Sequence, residues 1–158
     1  MVFVGILPYT VVNNQYLFLL GQESKGRDIN TWSGFGGNLE QNETIYQGAA
    51  REAYEESMGA LGTYEELLAE IDQKPYHLHG HRNGYSFLVY REYNPELTAF
   101  YKRAYDYVRK FTPNPPEGYL EKRAVRWFSA EEIISNPNII RKPFLITFNE
   151  IWKLNRTR

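Results

Sequence analysis

The sequence predicts an α/β fold of the α+β kind, in which helices flank a mixed central sheet. Apolar segments with strand-like composition recur along the chain, and helical segments separate them without a regular strand–helix–strand rhythm. One Gly-rich stretch, followed by a strongly acidic helix, occupies residues 34–59. Because 158 residues suffice for one sizeable core, we expect residues 1–158 to form a single domain.

The N-terminal segments predict a strand pair. Phe3–Val12 and Tyr16–Gln22 are apolar, and Asn13-Asn14 between them is a turn signal. Glu23–Asn30 is polar and irregular. Trp32–Phe35 then leads into the glycine pair at 36 and 37, where we expect a turn.

An acidic helix follows this glycine pair. Thr44 and Gln47 have the spacing of a capping box, so the helix should begin just after Thr44 and end at about Met58. Three of its carboxylates fall within about a 100° arc, where they repel each other: Glu52, Glu55 and Glu56. Carboxylate oxygens suit Mg²⁺ or Mn²⁺, and a bound cation would remove the repulsion. Gly48 lies one turn before Glu52. Its missing side chain either leaves room for metal and phosphate or permits close packing.

The rest of the chain predicts a mixture of strands and helices. In chain order these are a helical turn at Tyr64–Leu68, a strand pair at Ile71–Leu78 and Tyr85–Glu92 joined near Asn83-Gly84, a helix at Pro95–Lys110, a Pro-rich loop at Thr112–Gly118, a strand at Ala124–Phe128, a short helix capped by Ser129, and a terminal helix at Pro143–Leu154. Residues 95–118 have the character of a helical insertion.

Charge and composition restrict the functional classes. Residues 1–101 hold 6 Lys and Arg against 13 Asp and Glu, whereas residues 102–158 hold 12 against 6. An acidic half with a metal site beside a basic half suits a polyphosphate substrate, and two solvated faces are the alternative. There is no cysteine and no apolar run long enough to cross a membrane, so we expect a cytoplasmic protein without a membrane partner.

The stretch from Gly37 to Met58 resembles the Nudix box, G-x5-E-x7-R-E-U-x-E-E-x-G-U, in which U is apolar. Every ionisable position matches in identity and spacing: Glu43, Arg51, Glu52, Glu55 and Glu56. Two positions depart from the pattern. Ala53 is small where Leu or Ile is usual, and Met58 stands in the Gly position, with Gly59 one residue late.

The resemblance implies a Nudix-type α/β/α sandwich that hydrolyses a nucleoside diphosphate linked to another group, with Mg²⁺ or Mn²⁺ as cofactor. The implied site residues are the metal ligands Glu52, Glu55 and Glu56 with a backbone carbonyl of Gly36 or Gly37, the orienting ion pair of Arg51 and Glu43, and a loop acid, for which Glu121 is the first candidate and Glu117 the second. Glu52 is also a candidate base.

Residues 32–37 and 43–45 are most similar to the oxidised purine nucleoside triphosphatases of that family. This implies cleavage of (deoxy)nucleoside triphosphates to monophosphate and pyrophosphate. Those enzymes read the purine with a Trp-x-Asp-Asp segment, whereas Asn138–Lys142 here has no Asp pair. The alternatives are mRNA decapping with capped RNA as partner, hydrolysis of dinucleoside polyphosphates, and a non-catalytic nucleotide-binding module.

Candidate substrate contacts lie outside the box. Lys25, Arg27 and Arg141 are candidates for phosphate, with flexible surface charge as the alternative. Trp32 and Phe35 are candidates for stacking on a nucleobase, with core packing as the alternative.

Two further patterns carry a functional and a structural interpretation. In the helix at 95–110, three tyrosines interleave with Lys and Arg, which is the composition of an RNA-binding surface; an amphipathic helix with an aromatic core face is favoured over it. The alternation of His77, His79 and His81 permits a zinc site, but a polar strand end is favoured because no acid accompanies them.

Overall fold

The computed structural model describes residues 2–72, 74–75, 77–78 and 84–156. Its elements are β1 (Phe3–Val12), β2 (Gln15–Glu23), β3 (Trp32–Ser33), β4 (Phe35–Asn38), α1 (Ile45–Glu56), α2 (Tyr64–Ile71), β5 (His77–Leu78), β6 (Gly84–Tyr90), α3 (Leu97–Phe111), β7 (Lys122–Ser129), α4 (Ala130–Ser135), a 3₁₀ helix (Pro137–Ile139) and α5 (Lys142–Arg156).

The strands form one mixed sheet built around β1. Strand β1 runs parallel to β6 and antiparallel to β2 and β4. Strands β3 and β7 pair with β2, and β5 pairs with β6. The first half of β1 pairs with β4 and its second half with β2, so β4 lies in the gap where β1 and β2 diverge.

Each face of the sheet has its own hydrophobic core. Because side chains alternate along a strand, Val4 and Ile6 enter one core while Leu7 enters the other. The first core includes Ala49, Ala50 and Ala53 of α1 together with residues of α2 and α3. The second includes residues of α4 and α5. Helices therefore cover both faces, and the predicted α/β/α sandwich with a mixed sheet is confirmed.

The turn between β1 and β2 forms where the sequence predicts it. Asn13 and Asn14 take φ values of 50° and 63°, the left-handed conformation that a two-residue hairpin turn requires at both positions. Asparagine adopts this conformation more readily than most residues.

The turn predicted at Gly36 and Gly37 is wrong, because both residues lie within β4 and pair with β1. A Cβ atom on Gly36 would lie 2.6 Å from the Val4 carbonyl oxygen, and one on Gly5 would lie 2.5 Å from the Phe35 carbonyl oxygen. The glycines therefore permit the close approach of β4 to β1, and no chain reversal needs them here.

The strand predicted at Ile71–Leu78 is also largely wrong. A capping box at Thr63 and Glu66 starts α2, which continues as far as Ile71. Of the described residues in this segment, only His77–Leu78 is strand. The predicted turn residue Asn83 and the histidines at 79 and 81 lie outside the described residues, so the zinc interpretation stays a prediction.

Helix α1 starts at its predicted cap and ends at Glu56, two residues earlier than expected. Met58, which stands in the glycine position of the Nudix box, takes φ 52°, and Gly59 takes φ 80°. The chain thus holds a methionine in the left-handed region that favours glycine.

In the described ranges, no helix has the length and apolarity that crossing a membrane would require.

Candidate functional site

A cavity of about 530 Å³ opens where α1, β4 and α5 meet the sheet. One wall is apolar and includes Ile6, Leu7, Phe144 and Ile151. Another is polar and includes Glu23, Ser33, Glu56 and Glu121. The cavity therefore joins a surface suited to a flat apolar group with a cluster of carboxylates.

Glu56 is the deepest carboxylate of this cluster, with 3% of its surface exposed. Its Oε1 accepts a hydrogen bond of 2.8 Å from the Gly36 amide, and the neighbouring carboxyl group of Glu121 raises its pKa. Burial raises the pKa of Glu56 well above its ordinary value, and the positive charge of Lys122 opposes this shift.

Lys122 is a buried cation beside this pair. Its Nζ donates to Ser33 Oγ at 2.8 Å and pairs with the Glu23 carboxylate. A Cβ atom on Gly21 would lie 2.8 Å from the Lys122 Cδ, so a glycine in β2 makes room for this side chain. Sequence reasoning missed Lys122 and Glu23. A glycine inside a predicted strand signals a close approach but does not name the partner.

Glu52 lies one turn before Glu56 and against β4. A Cβ atom on Gly37 would lie 2.5 Å from Glu52 Oε1, so the carboxylate fills the space that glycine leaves. Burial raises the pKa of Glu52 to about 7; the charges of Glu55 and Glu121 add to this shift, and Arg51 opposes it.

Arg51 ties α1 to the segment that precedes it. Its Nε and Nη2 donate to the two oxygens of Glu43, at 2.8 and 2.9 Å, and this contact lowers the pKa of Glu43. Its Nη2 also donates to the Asn38 carbonyl at 3.1 Å. Its Nη1 reaches Glu52 at 3.0 Å and Glu55 at 3.4 Å. One guanidinium thus orients the helix and neutralises two of its acids.

The loop before β7 packs against Glu55. Gly118 takes φ 83°, and a Cβ atom there would lie 2.5 Å from the Glu55 Cβ. Burial raises the pKa of Glu55, Arg51 opposes the shift, and Glu117 raises it further. Glu117 itself is exposed and does not line the cavity, whereas Glu121 lines it.

The acidic side chains do not converge on one point. Glu56 contacts Glu121, while Glu52 and Glu55 contact Arg51. Among the residues that the structure describes, no three His, Cys, Asp or Glu side chains are close enough together to hold a metal ion. The donor chemistry nevertheless fits a hard divalent cation, because carboxylate oxygens are the ligands that such ions prefer.

The two aromatic candidates have different surroundings. Phe35 lines the cavity, but it is 1% exposed and belongs to the first hydrophobic core, which supports the core-packing alternative. Trp32 packs edge-on against Phe128 at 5.1 Å, with the Arg126 guanidinium 5.6 Å from its ring centre. Trp32 is not among the cavity residues.

The cationic candidates all line the cavity. Lys25 and Arg27 are exposed, and Arg141 donates to the Asp28 carboxylate at 3.0 Å. Gly48, in contrast, lies away from it. A Cβ atom there would lie 2.7 Å from Leu39 and 2.9 Å from Val4, which supports the close-packing interpretation.

Comparisons with known proteins give a family and a fold. A family model of the NUDIX domain matches residues 4–148. A segment of 49 residues is 49% identical to the oxidized purine nucleoside triphosphate hydrolase of Mus musculus and covers 31% of this chain and 31% of that protein. The chain thus aligns with about a third of the length of this curated relative.

Two solved structures show the same architecture at low identity. One is a bifunctional NMN adenylyltransferase/ADP ribose pyrophosphatase from Francisella tularensis, complexed with AMP and a Mn ion. It is 19% identical, with a TM-score of 0.58, over 96% of this chain and 41% of that one. The other is a binary complex of an Ap4A hydrolase from C. elegans, 16% identical, with a TM-score of 0.52, over 98% of each chain.

Proposed function

Because this chain belongs to the Nudix family, we propose that it is a pyrophosphohydrolase that uses Mg²⁺ or Mn²⁺ to cleave a nucleoside diphosphate from another group. One observation supports the proposal: Glu56 of the box lines a cavity of about 530 Å³ together with Glu121, and Glu52 and Glu55 lie on the same helix as Glu56. The cavity supplies an apolar wall and cationic side chains for the rest of a nucleotide.

Three carboxylates of α1 would hold the cation, together with a backbone carbonyl of Gly36 or Gly37. They are Glu52, Glu55 and Glu56. A bound divalent ion neutralises charge on the phosphates and lowers the pKa of a bound water. Arg51 already neutralises Glu52 and Glu55, so it competes with the cation for these two side chains while its bidentate pair with Glu43 keeps the helix oriented.

The remaining residues position the substrate and the proton. Glu121 adjoins Glu56 and is the candidate to orient or deprotonate the attacking water; Glu52, whose pKa of about 7 suits a base at neutral pH, is the second candidate. Lys25, Arg27 and Arg141 would neutralise phosphate charge, and their position in the cavity lining supports this role.

For the substrate, we propose (deoxy)nucleoside triphosphates, with nucleoside monophosphate and pyrophosphate as products. The segment that is 49% identical to the mouse triphosphate hydrolase supports this choice. The purine-reading Asp pair of such enzymes has no counterpart at Asn138–Lys142, so the base would be read by other groups. Dinucleoside polyphosphates are the second candidate, supported by the likeness in fold to the Ap4A hydrolase. Capped RNA, a cytoplasmic location and one domain with an insertion at 95–118 stay predictions.

A hydrolysis screen tests the proposal. Nucleoside triphosphates, oxidised triphosphates, nucleotide sugars, dinucleoside polyphosphates and capped RNA are incubated with Mg²⁺ or Mn²⁺, and products are separated by chromatography. We expect monophosphate and pyrophosphate from triphosphates. Release of 7-methylguanosine diphosphate from capped RNA alone would select decapping. Nucleotide binding measured by calorimetry, without turnover of any substrate, would indicate a non-catalytic binding module and not an enzyme.

A further inference from the structure

Helix α3 carries three large aromatic side chains on its outer surface. Phe100, Tyr107 and Phe111 are 53, 64 and 60% exposed, and the last two rings are 5.0 Å apart. At 100° per residue they fall within about a 40° arc that runs about 16 Å along the helix. Tyr101 and Tyr105 form the expected aromatic core face of α3. The three exposed rings lie outside this face and stay uncovered, and we call them the aromatic stripe.

Two cations flank the aromatic stripe. The Arg103 guanidinium lies 4.7 Å from the centre of the Phe100 ring, and the Lys110 Nζ lies 5.3 Å from that of Phe111. Neither cation has an acidic partner in the part of the chain that the structure describes. Their charge is therefore available to a bound anion.

The other two cations of α3 differ in this respect. Lys102 and Arg109 lie on another side of the helix, and both pair with Asp106, at 2.7 and 3.9 Å. The helix thus separates neutralised cations from available ones, and the available ones stand beside the exposed rings.

We propose that the aromatic stripe, with Arg103 and Lys110, binds single-stranded nucleic acid. Bases stack on aromatic side chains and on Arg guanidinium planes, while cations contact the phosphates between them. This role lies beyond the proposed hydrolysis, because no residue of the surface belongs to the cavity.

Other occupants match this surface less well. A second copy of the chain would bring two sets of uncompensated cations together. A helix that binds a membrane surface carries its cations on the face opposite its apolar side chains, whereas Arg103 and Lys110 lie beside the rings. An acidic peptide would pair with the cations and leave the ring faces unused.

The test compares two double variants of equal charge. Arg103→Ala/Lys110→Ala removes the available cations, and Lys102→Ala/Arg109→Ala removes the paired ones. Binding is measured by fluorescence anisotropy with labelled single-stranded RNA and DNA of about ten nucleotides. We expect the first variant to weaken binding at least about tenfold and to flatten the salt dependence by a slope of about 1.4, the value for two phosphate contacts on a single strand. The second variant should weaken it less than about threefold.

The rings are tested separately by Tyr107→Ala and Phe111→Ala. Each exposed ring should contribute at least about fivefold to affinity by stacking, without a change in melting temperature. Equal losses from both charge variants would overturn the proposal, because only net charge would then matter. So would no binding by the unaltered protein, a dimer that Phe111→Ala dissociates in sedimentation, or ring-dependent binding to anionic vesicles without binding to nucleic acid. Triphosphate hydrolysis is assayed alongside, so failure of the enzymatic proposal is seen independently.

Discussion

The hydroxyl group of Tyr101 on α3 lies 3.0 Å from the backbone carbonyl oxygen of Glu56, the residue that ends α1. It also lies 2.7 Å from the carbonyl oxygen of Lys122, the first residue of β7. Tyr101 is buried, and Glu121 directly precedes Lys122 in the chain. A single side chain of the predicted insertion therefore contacts the two segments that carry the neighbouring acids Glu56 and Glu121.

Tyr101→Phe should loosen this junction without opening a cavity, because only the hydroxyl is lost. Leaving buried carbonyl groups without this donor should cost about 1–3 kcal/mol of unfolding free energy. If the junction positions the acids, the Mg²⁺ concentration for half-maximal hydrolysis should also rise. Tyr105→Phe on the same helix is the control. Lower stability with an unchanged Mg²⁺ requirement would limit Tyr101 to a structural role.

Glu56→Gln should abolish most turnover while the protein stays folded. The amide can still accept the hydrogen bond from Gly36 but carries no charge for a cation. Because Glu56 is buried with a raised pKa, losing its charge should cost the metal-free protein little stability. We expect turnover to fall by several orders of magnitude, about 10³-fold or more. Glu40→Gln, at an exposed acid 3.6 Å from Arg51, should retain activity. Near-normal hydrolysis by Glu56→Gln would remove it from the proposed ligands.

The sequence allowed the local part of the site to be predicted, because helical geometry alone sets the relative positions of Glu52, Glu55 and Glu56. It did not allow the long-range part. The pairing of Lys122 with Glu23 joins residues about a hundred positions apart, and no local pattern encodes such a contact. The turn predicted at Gly36 and Gly37 is wrong for a similar reason. The strand conformation of this segment depends on its pairing with β1, and the same pairing includes Phe35.

The metal-free protein should lose stability as pH rises from about 4.5 to about 7, because the pKa of Glu52 is raised in the folded chain. The ordinary carboxyl value is 4.5, and burial raises that of Glu52 to about 7. Below about pH 4.5 the group is protonated in both the folded and the unfolded chain and costs nothing. Between these values the unfolded chain ionises first, so unfolding becomes easier, by up to about 3 kcal/mol at pH 8.

Urea titrations at pH 5 and pH 8 in the presence of a chelator measure this effect. Glu52→Gln should show a smaller loss than the unaltered protein, whereas Glu65→Gln, at an exposed acid of α2, should show the same loss. Mg²⁺ at pH 8 should restore stability only where Glu52 is present. An identical pH dependence in Glu52→Gln would contradict the assigned pKa.

Gly37→Ala should impair hydrolysis by a steric clash and not by backbone strain. The added Cβ would lie 2.5 Å from Glu52 Oε1, so the carboxylate must move, and a displacement of this size at a catalytic group can cost about 100-fold in rate. Gly34→Ala adds the same methyl group in the same segment, with its nearest contact at 3.3 Å, and should lose less than about tenfold. Similar rate losses in both variants would show that the Glu52 contact is not what matters.

Glu121→Gln and Glu117→Gln together identify the loop acid. Glu121 lines the cavity next to Glu56, whereas Glu117 is exposed and acts on Glu55 only through its charge. Glu121→Gln removes a candidate base, and such groups contribute about 10²–10⁴-fold to rate. Glu117→Gln removes the same charge from the same loop and should change the rate less than about threefold. Turnover of both variants is measured at saturating Mg²⁺ and substrate, and a larger loss in Glu117→Gln would reassign the role.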